Sequence, residues 1–113
     1  MLAWHAFCVI KDRLYSNQLN TYTESRLFAL KVLLVDDDAG SLRGMQLALF
    51  MLKHICDAYS DPCEAVKNYP NHTYDLVITD IYMPTIDGFT LAKTIRCVNP
   101  KAKIIFISDT QLK

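Results

Sequence analysis

Three consecutive aspartates, Asp36, Asp37 and Asp38, follow the apolar run Val32 to Val35, and a further aspartate, Asp80, follows Leu76 to Ile78 across a single threonine. A serine, Ser108, closes a third run, Ile104 to Ile107. Short unbroken apolar runs rich in β-formers read as parallel strands buried on both faces. The polar residue after each run then stands at a carboxyl end, where ligands bind in open parallel sheets. Asp36, Asp37 and Asp80 would put at least two carboxylates into one cleft, where mutual repulsion is costly unless a cation or proton intervenes. Mg²⁺ suits such a cleft, because it takes hard oxygen ligands, keeps several waters and bridges carboxylates to phosphate. A carboxylate screened in this way can act as a nucleophile toward phosphorus, giving an aspartyl phosphate. The Ser108 hydroxyl could hydrogen-bond one phosphoryl oxygen. Any one of these aspartates taken alone reads equally well as a turn or cap residue. Their joint placement is what points to a site.

The elements that must position these residues are legible in the spacing. Leu42, Met45, Leu49 and Leu52 recur at three- and four-residue steps, predicting a helix from about Ala39 to about Lys53. Ile55 to Tyr59 reads as a second strand. Asp61, Pro62 and Glu64 mark a helix start, predicting a helix over Pro62 to Tyr69 that Pro70 stops. A third helix is expected over Gly88 to Val98, with Phe89, Ala92 and Ile95 on one face and Pro100 beyond its end. Strand and helix thus alternate from residue 31, which calls for an α/β fold: a parallel sheet with helices on both faces and right-handed crossovers. Residues 1–30 lack this pattern and form a separate N-terminal extension, helical over Leu2 to Tyr15 or irregular.

Composition excludes several classes. The chain has 113 residues, room for one small domain. Twelve basic residues balance twelve acidic ones, so no bulk positive field draws in nucleic acid or an anionic membrane. Leu2 to Ile10 is too short to span a membrane and lacks the flanks of a signal peptide. Cys8, Cys56, Cys63 and Cys97 form no C-x-x-C pair, and read as reduced, packed thiols of a cytoplasmic protein. His5, His54 and His72 are scattered, without a helical metal pair.

The strings KVLLVDDD (31–38), YDLVITDIYMPTIDG (74–88) and KIIFIS (103–108) together resemble the receiver domain of two-component response regulators. The resemblance covers residues 31 to 109, with 31–113 as the domain. It implies a flavodoxin-like doubly wound sheet in the order 2-1-3-4, incomplete because a receiver has a fifth strand and this chain ends six residues past the fourth. On the same grounds Asp80 would accept phosphate from the histidine of a kinase or phosphotransfer protein. Asp36, Asp37, Asp80 and the backbone carbonyl of Tyr82 would hold Mg²⁺, and Ser108 would be the switch hydroxyl. The family's strand-five lysine and aromatic switch residue find no counterpart, since Lys101 and Lys113 stand elsewhere, and Asp109 replaces a small residue. The implied protein is a signalling domain rather than an enzyme. A degenerate receiver that binds partners without holding phosphate is the alternative. A haloacid-dehalogenase-like phosphatase, suggested by Asp36-x-Asp38 and Ser108, is a remote third reading that leaves the segment from Asp80 to Gly88 unexplained. In the order 2-1-3-4 the strand Ile104 to Ile107 is an open edge, so self-association there is expected, or cover by N-terminal residues such as Trp4, Phe7, Leu27 and Phe28.

Overall fold

The computed structural model describes residues 29–108 of the chain. The expected extension over residues 1–30 lies outside this range except for Ala29 and Leu30, as do residues 109–113. In chain order the elements are β1 (Lys31–Val35), α1 (Ala39–Met51), β2 (Ile55–Tyr59), α2 (Pro62–Asn68), a 3-10 turn (Tyr69–Asn71), β3 (Leu76–Asp80), α3 (Gly88–Val98) and β4 (Ile104–Ile107). The strands form one parallel sheet in the order β2-β1-β3-β4, as the sequence pattern leads one to expect.

The period of two along β1 explains its unbroken apolar run. Val32 and Leu34 face one side, where they pack with Met45 and Leu49 of α1, Ile78 of β3 and Ile105 of β4. Leu33 and Val35 face the other side, against Ala65 of α2 and Leu91 and Ile95 of α3. These four β1 side chains, Val32 to Val35, are fully buried, each stabilising the fold by about 1.5–3 kcal/mol. The covering helices need firm ends, and aspartates supply them. Asp38 accepts from the Ser41 hydroxyl at 2.7 Å and its N–H at 3.3 Å; Asp61 accepts from Cys63 N–H at 2.9 Å, and Asp87 from Thr90 N–H at 2.8 Å. Each cap contributes about 1 kcal/mol.

Helix α1 ends at Met51, two residues earlier than its apolar spacing suggests. Lys53 adopts a left-handed φ of 66°, Lys53 N–H donates to the Phe50 carbonyl at 2.9 Å, and His54 N–H donates to the Leu49 carbonyl at 3.0 Å. This reciprocal pair satisfies the last carbonyls and turns the chain into β2, with a lysine where glycine is usual. Helix α2 likewise stops at Asn68 and tightens into the 3-10 turn at Tyr69.

Three local expectations need correction. Phe89 is 51% exposed and not on the inner face of α3, which is made by Gly88, Leu91, Ala92 and Ile95 at steps of three, one and three. That stripe places Phe89 at its margin, where its ring meets Phe106 with centroids 4.9 Å apart. Among the described cysteines, Cys63 and Cys97 are exposed and only Cys56 is half-buried. In β4, expected to be buried on both faces, only Ile105 and Ile107 are buried, Ile104 and Phe106 being half-buried; β4 is an outer strand of the described sheet, as the order 2-1-3-4 leads one to expect.

Candidate functional site

Parallel pairing brings the strand ends together. Val35 of β1 pairs with Thr79 of β3, so Asp36 and Asp80 each come one step later at neighbouring carboxyl ends. Asp37 follows in the loop that leads to α1. Carboxylate oxygens of Asp36, Asp37 and Asp80 lie within 4.8 Å of one another, and they are the one such cluster of potential metal ligands among the described residues. Asp80 pairs with Ile107 of β4, which sets Ser108, itself buried, one step beyond on the adjacent strand. Tyr82, 62% exposed, lies in the loop after β3. Among the described residues no helix is long and apolar enough to cross a membrane.

Burial grades the cluster: Asp36 is fully buried, Asp80 half-buried and Asp37 exposed. Asp36 Oδ1 accepts the Asp38 N–H at 2.9 Å, whereas its Oδ2 is buried with no hydrogen-bond partner. Burial pushes the Asp36 carboxyl up from 3.8 to about 7; the Asp38 N–H opposes this, and repulsion from Asp80, Asp37 and Asp38 adds to it. A buried carboxylate oxygen without a partner, facing two further carboxylates, is a donor set that a hard divalent cation fits. Asp38 does not share this surplus. Its carboxylate is occupied by Ser41, whose hydroxyl and N–H hold it below the usual carboxylate range.

The loop after β3 is fastened at both ends. Ile81 N–H donates to the Ile107 carbonyl at 3.0 Å, extending the ladder one residue past Asp80. Gly88 N–H donates to the Ile81 carbonyl at 2.7 Å, closing the loop at its base. A Cβ at position 88 would run into the Asp80 carbonyl oxygen, so only glycine lets α3 start this close to the acid-bearing strand. Thr85 holds a φ of 74° and Ile86 N–H reaches back to the Pro84 carbonyl at 2.9 Å, making a tight turn at the loop tip.

The sequence pattern thus selects Asp36, Asp37 and Asp80, which the fold gathers, and Ser108, which it places on the next strand. It overlooks Thr79, fully buried, whose hydroxyl donates to the Asp80 carbonyl at 3.0 Å. A threonine inside an apolar strand just before a candidate acid was the available signal. The role of Gly88 in letting α3 approach Asp80 was likewise hidden, because Asp87-Gly88 reads as an ordinary turn.

Known proteins share both pattern and shape. The model of the response regulator receiver domain family matches residues 32–113. A gliding motility regulatory protein of Myxococcus xanthus is 37% identical over 75 residues, 66% of this chain and 10% of that protein. A probable histidine kinase of Oryza sativa subsp. indica is 32% identical over 66 residues, 58% of this chain and 7% of that protein. The chain therefore spans a small part of the length of these relatives. The crystal structure of response regulator protein TrrA from Thermotoga maritima, in complex with Mg²⁺ and BeF, superposes with a TM-score of 0.67 at 34% identity, covering 70% of this chain and 69% of that one. With strand order, acidic cluster and family pattern in agreement over the described residues, the chain belongs to the response regulator receiver domain family of two-component signalling.

Proposed function

We propose that this chain is a phosphoryl acceptor, taking phosphate from the histidine of a kinase or phosphotransfer protein onto Asp80. The observation that carries the reading is the gathering of Asp36, Asp37 and Asp80 within 4.8 Å, with one buried carboxylate oxygen lacking a partner. Asp80 is the acceptor on this reading because it is half-buried at the strand end: open enough to be reached, unlike Asp36, and held by the ladder, unlike Asp37. Its carboxylate oxygen forms the new bond to phosphorus, the phosphorus–nitrogen bond of the donor breaks, and the electron pair leaves with the imidazole, which takes up a proton. Asp36, Asp37 and Asp80, with the Tyr82 carbonyl, would hold Mg²⁺, which when bound neutralises charge on carboxylates and phosphoryl oxygens. Ser108 supplies a hydroxyl on the neighbouring strand for a phosphoryl oxygen. The domain on this reading is 31–113, and the kinase partner is supported by the family and by a histidine kinase among the proteins that share the segment.

Incubation of the chain with Mg²⁺ and a small-molecule phosphodonor, followed by intact mass, should show one added phosphate. Asp80→Asn should abolish the adduct. Labelling that persists in that variant would remove Asp80 from the role, and an unlabelled parent that still binds a phosphotransfer protein would support a receiver that signals by binding alone.

A further inference from the structure

Beside the outer strand β2, on the α1 side of the sheet, lies a groove of about 380 Å³ lined by Arg43, Gln46, Leu47, Phe50, His54 and Cys56. In its wall Leu47 and Phe50 are 58% and 74% exposed, and Met51, one turn on from Leu47 along α1, is 69% exposed. Single exposed hydrophobes are ordinary, but three on one helix face beside a groove mark a docking surface.

The described chain starts at this groove. Leu30 N–H donates to His54 Nδ1 at 3.1 Å and Ile55 N–H donates to the Leu30 carbonyl at 2.9 Å, so the chain enters β1 against a residue of the groove wall. Helix α1 returns from the carboxyl end of β1 to the amino end of β2, so Phe50 and Met51 lie at the end of the sheet where the chain enters. Directly upstream stand Glu24, Ser25, Arg26, Leu27 and Phe28, the last of the 28 residues that precede Ala29.

We propose that this upstream segment seats in the groove, with Leu27 and Phe28 against Phe50 and Leu47 and Glu24 toward Arg43. Reach is sufficient, because six extended residues span about 20 Å, and the 13 residues of α1 rise about 20 Å. Tethering favours this occupant over a second copy of the chain, since a short linker gives an effective concentration of order mM. The inference is independent of the phosphoryl-acceptor reading.

Amide hydrogen exchange on the full chain tests it. Peptides covering residues 22–28 should exchange at least about tenfold more slowly than free chain. Phe50→Asp, at a position exposed enough to leave the fold intact, should return them to the free-chain rate while β1 and β3 keep their protection. Phe28→Asp should in turn speed exchange in residues 47–54. Free-chain rates in the parent, or protection indifferent to Phe50→Asp, would overturn the proposal. So would protection that appears only at concentrations where the mass doubles, since the groove would then belong to a second copy.

Discussion

Toward the amino ends of the strands, Lys31 N–H donates to Asp75 at 2.8 Å, and Lys31 Nζ lies 3.3 Å from His72 Nδ1 and 5.3 Å from the centre of the Tyr74 ring. The Tyr74 hydroxyl donates to the Asp57 carboxylate at 2.6 Å, and its ring stacks on Tyr69 with centroids 5.7 Å apart. At the carboxyl ends of the same strands, carboxylate oxygens of Asp36, Asp37 and Asp80 lie within 4.8 Å of one another, and the buried Oδ2 of Asp36 has no hydrogen-bond partner. One end answers these polar groups with one another and so helps to hold the sheet together. The other keeps like charges side by side, a penalty that binding of a cation removes. The contrast separates groups kept for stability from groups kept for a ligand.

The largest effect should come from the answered end. Tyr74→Ala removes a buried ring and strands Asp57, and should lower stability by about 3–5 kcal/mol, much of what a small domain has. Asp80→Asn, which removes one of the like charges, should leave metal-free stability unchanged or slightly raised. Urea denaturation of both variants in chelator compares the two ends directly, and a loss in Asp80→Asn matching that in Tyr74→Ala would erase the contrast.

Metal addition comes next. Mg²⁺ at about a hundredfold over its dissociation constant should stabilise the parent by about 2.7 kcal/mol, several degrees in melting temperature for a domain of this size. Asp37→Ala should lose most of that shift and Tyr74→Phe should keep it. Equal shifts in all three proteins would place the ion away from the cluster.

A pH series isolates Asp36. Its folded-state value of about 7 lies above the ordinary 3.8, so between these values the folded protein holds a proton that the unfolded chain releases. Metal-free stability should therefore rise as pH falls from about 8 toward about 5. His54 opposes this: burial lowers its folded value below 6.5, so the unfolded chain takes up the proton more readily and stability drops as pH falls through 6.5. Comparing the parent with Asp36→Asn at each pH cancels the histidine. The variant's advantage should grow by roughly 1–3 kcal/mol between about pH 5 and about pH 8, and an advantage constant with pH would contradict the assignment. The smallest expected effect is that of Lys31→Ala, below about 1 kcal/mol because its contacts to His72 are exposed. A double-mutant cycle with His72 would measure it.

The carboxyl-end cluster was legible because its members follow apolar runs directly, and parallel pairing puts such positions side by side whatever the intervening helices do. The amino-end network was not. Tyr74 meets Asp57 across 17 residues and Lys31 meets His72 across 41, pairings fixed by strand register and loop path that leave no periodic trace. Phe89 shows the same limit on a smaller scale: its helix was evident, but which stripe faces inward depends on the sheet beneath. The thiols of Cys63 and Cys97 face water because α2 and α3 bury other positions, a choice that composition cannot reveal.

The strand order carries a consequence for how the chain acquires its shape. Central strand β1 meets β2 within one helical excursion, yet its other flank is filled by β3, with Val32 opposite Leu76 and Val35 opposite Thr79. Half of the pairing of β1 thus waits on residues more than forty positions downstream. Long-range parallel contacts of this kind slow the search for the native state, since chain closure comes before any contact compensates it. During synthesis the apolar run from Val32 to Val35 must wait, with one flank unpaired, until the segment bearing Asp80 has emerged. The strand that ends in the proposed acceptor is thus also the one whose arrival closes the sheet around its central strand.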